Sequence, residues 1–332
     1  YEIMPSLVGS EMCIRDRYGN MLLYRGYENG QKVQKRIKFQ PTLFVNTPKE
    51  TPWKSLTGIP VAPIKMESMR DAKEWVAANK NTAGRLIFGN DRYIPAFIAD
   101  EFPGTIDFNR NQINVTTFDI EVASDEGFPE PERAHYPVIS IALKNNVDNT
   151  YYVWGLNDYD AKLSYMQDHR IVYKKCANEA ELLSDFILHW SLPSNCPDII
   201  TGWNVRFFDI PYLVNRTLKI LGDDVVKKLS PWGLVDRYDV KVMNRSQATY
   251  DLKGISTIDY LELFQKFGYS YGNQESYRLD NIANVVLGEK KLSYEEHGSL
   301  HTLYKFDHQK FIDYNIKDVE LCLLYTSPSP RD

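Results

Sequence analysis

Val115-Thr116-Thr117-Phe118-Asp119-Ile120-Glu121-Val122 is the stretch whose reading decides the fold. β-Branched and aromatic residues dominate it, the composition of a buried strand, and two carboxylates interrupt it at i and i+2. Successive strand side chains point to opposite faces, so Asp119 and Glu121 emerge on the same face, about 7 Å apart along the strand. Desolvating a carboxylate is costly unless a cation or hydrogen bonds compensate it. Crowding two of them into an apolar strand therefore asks for a partner, and a divalent cation is the simplest. The competing reading is an edge strand with its acidic face in water. The octapeptide alone leaves both open.

Outward from this strand, residues 109 to 323 alternate strands with helices. An acidic, Pro-rich loop, Ser124 to Pro137, leads to strands at Val138 to Lys144 and Thr150 to Trp154. A helix is expected over Glu179 to Trp190, with Leu182, Leu183, Phe186, Ile187 and Trp190 on one stripe. The short apolar strand Asp198 to Trp203 turns into a helix beginning near Asp209. A strand at Gly254 to Ile258 leads to Asp259, read as the cap of a helix over Leu261 to Phe267, and one helix opened by Ser276 and another from His308 to Leu323 follow. This order describes an α/β domain, a sheet flanked by helices. Upstream, residues 18 to 108 read as a smaller α+β domain: a hairpin, Met21 to Tyr27 and Lys32 to Phe39, around Asn29-Gly30; a strand at Thr42 to Asn46; and a helix capped by Ser68. No catalytic constellation falls there.

The totals narrow the classes. The 332 residues suffice for about two domains, and a net charge of −5 gives no global basic signature, so a nucleic-acid partner needs a local basic groove or metal ions. No apolar run reaches the ~18 residues that span a membrane. Cys13, Cys176, Cys196 and Cys322 show no paired spacing, which argues against a zinc site or disulfide framework and for a reducing, intracellular setting.

Two further stretches carry carboxylates where burial is expected. In Gly202-Trp203-Asn204-Val205-Arg206-Phe207-Phe208-Asp209-Ile210-Pro211-Tyr212, Asp209 stands where a helix begins. Helix N-cap and metal ligand are both open to it. In Tyr314-Asn315-Ile316-Lys317-Asp318, the phenol and the carboxylate lie one helical turn apart and can share a target. Ile312, Ile316, Val319 and Leu323 line one side of that helix while Phe311, Tyr314, Leu321 and Cys322 line the other, so it should lie between two layers with Asp318 buried. Asp307, Asp313, Asp125, Glu126 and Glu130 read as solvated charges, Trp75 and Trp190 as core.

Phe118-Asp119-Ile120-Glu121, Asn204 to Asp209 and Tyr314 to Asp318 resemble, in order and spacing, the three exonuclease motifs of family B DNA polymerases. Each motif is weak alone; the ordered triple is specific. Leu252-Lys253-Gly254-Ile255-Ser256, Ile258-Asp259-Tyr260-Leu261-Glu262-Leu263 and Ser68-Met69-Arg70-Asp71-Ala72 are similar to the T-even-like phage replicative type, and the likeness runs through residues 18 to 323. It implies an N-terminal domain followed by an RNase H-like 3′→5′ proofreading domain, with the polymerase palm, fingers and thumb absent. By the same resemblance Asp119, Glu121, Asp209 and Asp318 hold two Mg²⁺ ions, about 3.5 to 4 Å apart and replaceable by Mn²⁺. Tyr314 would orient the attacking water, and the substrate would be the 3′ end of single-stranded DNA. Phe128, Asn204 and Phe208 are candidates for terminal nucleotides. Lys241, Arg245 and Lys253 are candidates for phosphates on a hairpin between Lys241 and Ser256. Primer-template DNA, the missing polymerase domains, a sliding clamp and other replisome proteins are the implied partners, in the cytoplasm of an infected host.

Residues 1 to 17 and 324 to 332 resemble translated sequencing-adapter read-through and are set aside as foreign to the fold. Two rival functions remain. A free-standing 3′→5′ exonuclease predicts a native gene that stops near residue 323; a non-catalytic single-stranded nucleic-acid-binding module predicts binding indifferent to loss of Asp119.

Overall fold

The computed structural model describes residues 12–28, 31–89, 92–102, 104, 110–123, 127–148, 150–166, 169–242 and 245–324. The chain divides into two compact units, Tyr1–Gln112 and Ile113–Asp332. In the first, strands β1 (Met12–Tyr18), β2 (Met21–Glu28) and β3 (Gln31–Ile37) form an antiparallel meander. Most of β1 thus comes from the stretch set aside as foreign; the Asn29-Gly30 turn lies outside the described residues. A second sheet places β4 (Thr42–Asn46) between β5 (Val61–Lys65) and β6 (Ile87–Phe88), with helices α1 (Met69–Asn79) and α2 (Tyr93–Glu101). Ser68 caps α1 as expected, its Oγ accepting the Asp71 N–H at 3.2 Å. Leu22, Leu43, Met69 and Phe97 belong to this unit's core.

The second unit is a six-stranded mixed sheet flanked by helices, an RNase H-like arrangement. Its strands are β7 (Val115–Val122), β8 (Val138–Asn145), β9 (Thr150–Gly155), β10 (Arg170–Lys175), β11 (Ile199–Gly202) and, after the two-stranded hairpin β12 (Val235–Val242) and β13 (Arg245–Leu252), β14 (Ser256–Asp259). The sheet order is β10-β9-β8-β7-β11-β14. The meander β7-β8-β9 is antiparallel, whereas β11 and β14 run parallel to β7. The helices are α3 (Glu179–Ser191), α4 (Asp209–Leu221), the single turn α5 (Asp223–Val226), α6 (Tyr260–Phe267), α7 (Leu279–Leu287), α8 (Leu300–Phe306) and α9 (His308–Leu324). None is long and apolar enough to cross a membrane among the described residues.

The alternation in β7 decides which layer receives the charges. Phe118 and Ile120 enter the core built with Leu183, Phe186 and Trp190 of α3 and Ile210 and Leu213 of α4. Asp119 and Glu121 point to the other face, where α9 lies. That helix is apolar on two sides as expected: Phe311, Ile312, Ile316, Val319 and Leu321 are each at most 1% exposed. An Arg216–Glu179 pair (2.6 Å) joins α4 to α3, and the same glutamate accepts the Val138 N–H at 2.7 Å, which fixes β8 against both helices.

Two expectations are corrected. Helix α7 starts at Leu279 with Arg278 at its N-cap; the Ser276 hydroxyl accepts the Arg278 N–H, at 3.3 Å, from the preceding turn. Asp313 is buried rather than solvated, because Tyr159 and Ser164 donate to it at 2.8 and 2.7 Å. Neither β10 nor α8 is signalled by the hydrophobic pattern. Glu130 is exposed and Asp307 partly so, whereas Asp125 and Glu126 lie outside the described residues. Cys176, Cys196 and Cys322 are buried thiols.

Candidate metal centre

The parallel strands β7, β11 and β14 end at one edge of the sheet, the place where α/β folds collect their ligands. There Asp119, Glu121 and Asp318 each offer a carboxylate oxygen, all within 4.8 Å of one another. Asp119 is partly exposed, while Glu121 (8%) and Asp318 (4%) are buried. Asn315, fully buried one turn before Asp318, donates Nδ2–H to Asp119 Oδ2 at 2.8 Å and accepts from Ser140 Oγ at 2.7 Å. The amide therefore orients Asp119 from the same helix that supplies Asp318.

Asp209 arrives by a different route. It is the first residue of α4, and Phe208 at the N-cap makes no side-chain capping bond, so Asp209 does not cap the helix as one reading expected. Its Oδ1 instead accepts the Ile120 N–H at 3.1 Å. The register explains why. Thr201 pairs with Thr117, and β11 ends one residue later while β7 continues to Val122. The Ile120 amide, past the end of β11, would be a buried orphan without that carboxylate. Gly202 makes the turn possible, since a Cβ there would stand 2.9 Å from the Phe118 carbonyl oxygen.

The electrostatics follow from burial. Asp119 is raised well above the usual carboxylate range by desolvation and by the charges of Asp209, Asp318 and Glu121. Burial pushes Glu121 up to about 8, with Asp318 adding to it. Burial pushes Asp209 up to about 7 against the Ile120 N–H, which favours the anion. Asp318 is also raised by burial, although Lys291 opposes the shift.

Lys291 is a residue of the cluster that sequence reasoning missed. Its Nζ donates to the Tyr314 hydroxyl at 3.1 Å and to Asp318 Oδ2 in a short contact. Burial disfavours its charge, but Asp318, Tyr314 and Asp119 outweigh that and hold the ammonium cationic. The run Gly288-Glu289-Lys290-Lys291 carries no signal telling the buried lysine from its neighbour. Tyr314, 6% exposed, stays a neutral phenol because burial and the Asp318 charge raise it.

The residues present fit a divalent cation. Asp318 Oδ1 is buried with no hydrogen-bond partner. Lys291 touches one of three clustered carboxylates, with Asp209 beside them, so there is room for more positive charge, and an all-oxygen donor set suits a hard ion.

A cleft of about 920 Å³ opens onto the cluster, with Asp119, Asn204, Tyr277, Arg278, Tyr314 and Asp318 among its walls. Asn204 lies in the left-handed region, at φ +62°. Phe128 (73% exposed) and Phe208 are not on that wall but contact each other, with ring centroids 5.3 Å apart. Of the basic candidates, Lys241 is exposed on β12, and Lys253 is held by Asp251 and, at 3.7 Å, by Asp236. The Arg245 side chain and Asn244 lie outside the described residues.

The model of the family B DNA polymerase exonuclease domain matches residues 94–282, which includes Asp119, Glu121 and Asp209 and stops before Tyr314. The chain is 32% identical over 313 residues to the DNA-directed DNA polymerase of Enterobacteria phage T4 and 33% to that of Escherichia phage RB69. Each alignment covers 88% of this chain and 34% of the relative, so the chain spans about a third of their length. DNA polymerase 1 of Sulfurisphaera ohwakuensis is 30% identical over 60% of this chain and 20% of its own. Together with a mixed sheet whose inner strand β7 brings its carboxylates to Asp318 of α9, this match places the chain in the family B DNA polymerases as a T4-like member bearing their exonuclease domain.

Proposed function

We propose that residues 109 to 323 remove nucleotides from the 3′ end of single-stranded DNA by metal-assisted hydrolysis of the terminal phosphodiester. The observation that carries this is the meeting of Asp119, Glu121 and Asp318 within 4.8 Å between β7 and α9, beside an open cleft. Asp119, Glu121 and Asp318 would hold one divalent ion, and Asp119 with Asp209 a second. Mg²⁺, or Mn²⁺ in its place, would supply charge that neutralises the phosphate and lowers the pKa of bound water.

The chain's own groups do the remainder. Tyr314, kept protonated, offers its hydroxyl to the attacking water and orients it. Lys291, kept cationic, offsets the carboxylates and steadies that hydroxyl. Asn315 fixes the Asp119 rotamer. Asn204, Phe208 and Phe128 would hold the frayed terminal nucleotides by contact and stacking, which tolerates any base. Lys241, Arg245 and Lys253 are the phosphate candidates of the hairpin. Residues 18 to 108 form the accompanying α+β domain, and residues 1 to 17 and 324 to 332 are foreign tails. The whole protein would be a phage replicative polymerase working on primer-template DNA with a clamp and replisome partners in the infected cytoplasm.

The test is a 5′-labelled single-stranded oligonucleotide incubated with the chain and Mg²⁺. Stepwise 3′ shortening that EDTA stops supports the proposal; a folded chain that leaves the oligonucleotide intact overturns it. Tyr314→Phe removes one oriented hydroxyl and leaves the carboxylates in place. Its kcat is expected to fall roughly 10- to 100-fold while KM stays within about threefold. Single-turnover rates against DNA concentration check the split.

A further inference from the structure

The loop from Gly202 to Phe208 has every reason to be loose. Asn204 is strained at φ +62°, and the helix that follows has no side-chain cap. Its backbone is nevertheless held from two sides. From the sheet, Asp259, 3% exposed at the end of β14, accepts the Asn204 N–H at 3.0 Å and the Arg206 N–H at 2.9 Å. The same carboxylate accepts the Leu261 N–H at 2.9 Å, so its helix-capping role is real but is a third of what it does. From the hairpin, Thr249 of β13, fully buried, donates its hydroxyl to the Arg206 carbonyl at 2.6 Å. The Arg206 guanidinium adds two 3.0 Å bonds to Glu262 of α6 and one of 3.2 Å to the Tyr238 hydroxyl of β12.

Arg206 is thus gripped at its amide by the sheet and at its carbonyl by the hairpin. It sits two residues after Asn204, which faces the cleft, and three before Asp209. We propose that Thr249 and Asp259 are positioning residues: hairpin and sheet together clamp this loop, and the clamp sets where Asn204 and Asp209 stand. Asp209 has one strand amide, that of Ile120, to register against. If the loop is released at Arg206, α4 begins from an undefined point and that contact loosens. Anything that displaces β13 is then felt at Asp209, beside the carboxylate cluster. The activity arm of the test rests on the exonuclease reading; the exchange arm does not.

The experiment compares wild type, Thr249→Val and Thr249→Ser in the full chain. Val keeps the shape and loses the hydroxyl, whereas Ser keeps the hydroxyl. Hydrogen exchange in EDTA at the Arg206 and Ile120 amides is expected to quicken about tenfold in the Val variant and to stay at the wild-type rate in the Ser variant. On the labelled oligonucleotide, kcat of the Val variant should drop about tenfold with KM within about threefold, and Ser should restore it. Wild-type exchange and kcat in the Val variant, or a Ser variant as impaired as Val, would overturn the clamp. Should Val not fold, the Thr249→Ala and Thr249→Ser pair, differing by one hydroxyl, gives the same comparison. An inert wild type sinks the exonuclease reading alone, while the exchange rates still decide the clamp.

Discussion

Asp119→Ala is expected to abolish 3′ shortening of a labelled single-stranded oligonucleotide, with a rate at least about 10³-fold below wild type at saturating Mg²⁺. The size follows from its position. Asp119 belongs to the three-carboxylate cluster, its charge is coupled to Asp209 as well as to Asp318, and Asn315 is committed to orienting it. No neighbour can take over, because Glu121 is buried, Asp318 is engaged by Lys291 and Asp209 is tied to the Ile120 amide. Folding should not suffer. The substitution removes a desolvated acid repelled by three others, so in EDTA the melting temperature is expected to hold or rise. A folded variant that keeps more than about a tenth of wild-type activity would remove Asp119 from the reaction.

Stability of the metal-free chain should fall as pH rises from about 5 to 8, and Mg²⁺ should reverse that fall. Glu121 is pushed up to about 8 and Asp209 to about 7, from ordinary values of 4.5 and 3.8. Between the unfolded and the folded pKa the native state binds protons that the unfolded chain has released, so raising the pH favours unfolding. The contribution is fully present below about pH 4 and lost as pH passes through 7 to 8. At about 1.4 kcal/mol per unit, and discounting for the shared charge of the cluster, the loss is on the order of 3 kcal/mol. Thermal unfolding in EDTA across that range, repeated in Mg²⁺, reads it directly. The Mg²⁺-induced rise in melting temperature should be larger at pH 8 than at pH 5.5, since the ion binds the ionised acids. Unfolding curves in EDTA that do not move with pH would mean the carboxylates are solvated.

What was legible in the sequence is what is local. Period two in β7 put Asp119 and Glu121 on one face, and the one-turn spacing put Tyr314 beside Asp318. The two apolar sides of α9 announced its burial. What was not legible depends on partners distant in the chain. Asp313 reads as a solvated charge until Tyr159 and Ser164, some 150 residues earlier, are seen to donate to it. Asp209 reads as a helix cap until the register shows that β11 stops short of Ile120. Lys291 and Lys290 are equivalent on paper, and only the fold of the turn after α7 decides which meets Asp318. β10, Arg170-Ile171-Val172-Tyr173-Lys174-Lys175, is an edge strand whose mostly solvent-facing residues hide the apolar signal.

The bond from Asn315 to Asp119 spans 196 residues of chain. A ribosome adding about 5 to 20 residues per second needs roughly 10 to 40 s to cover that separation. Throughout that interval Asp119 and Glu121 have emerged while Asp318, Tyr314 and the amide that orients Asp119 have not. A nascent chain therefore carries its strand carboxylates for that long with the cluster unassembled. On the proposed function, it gains its metal centre only when α9 docks.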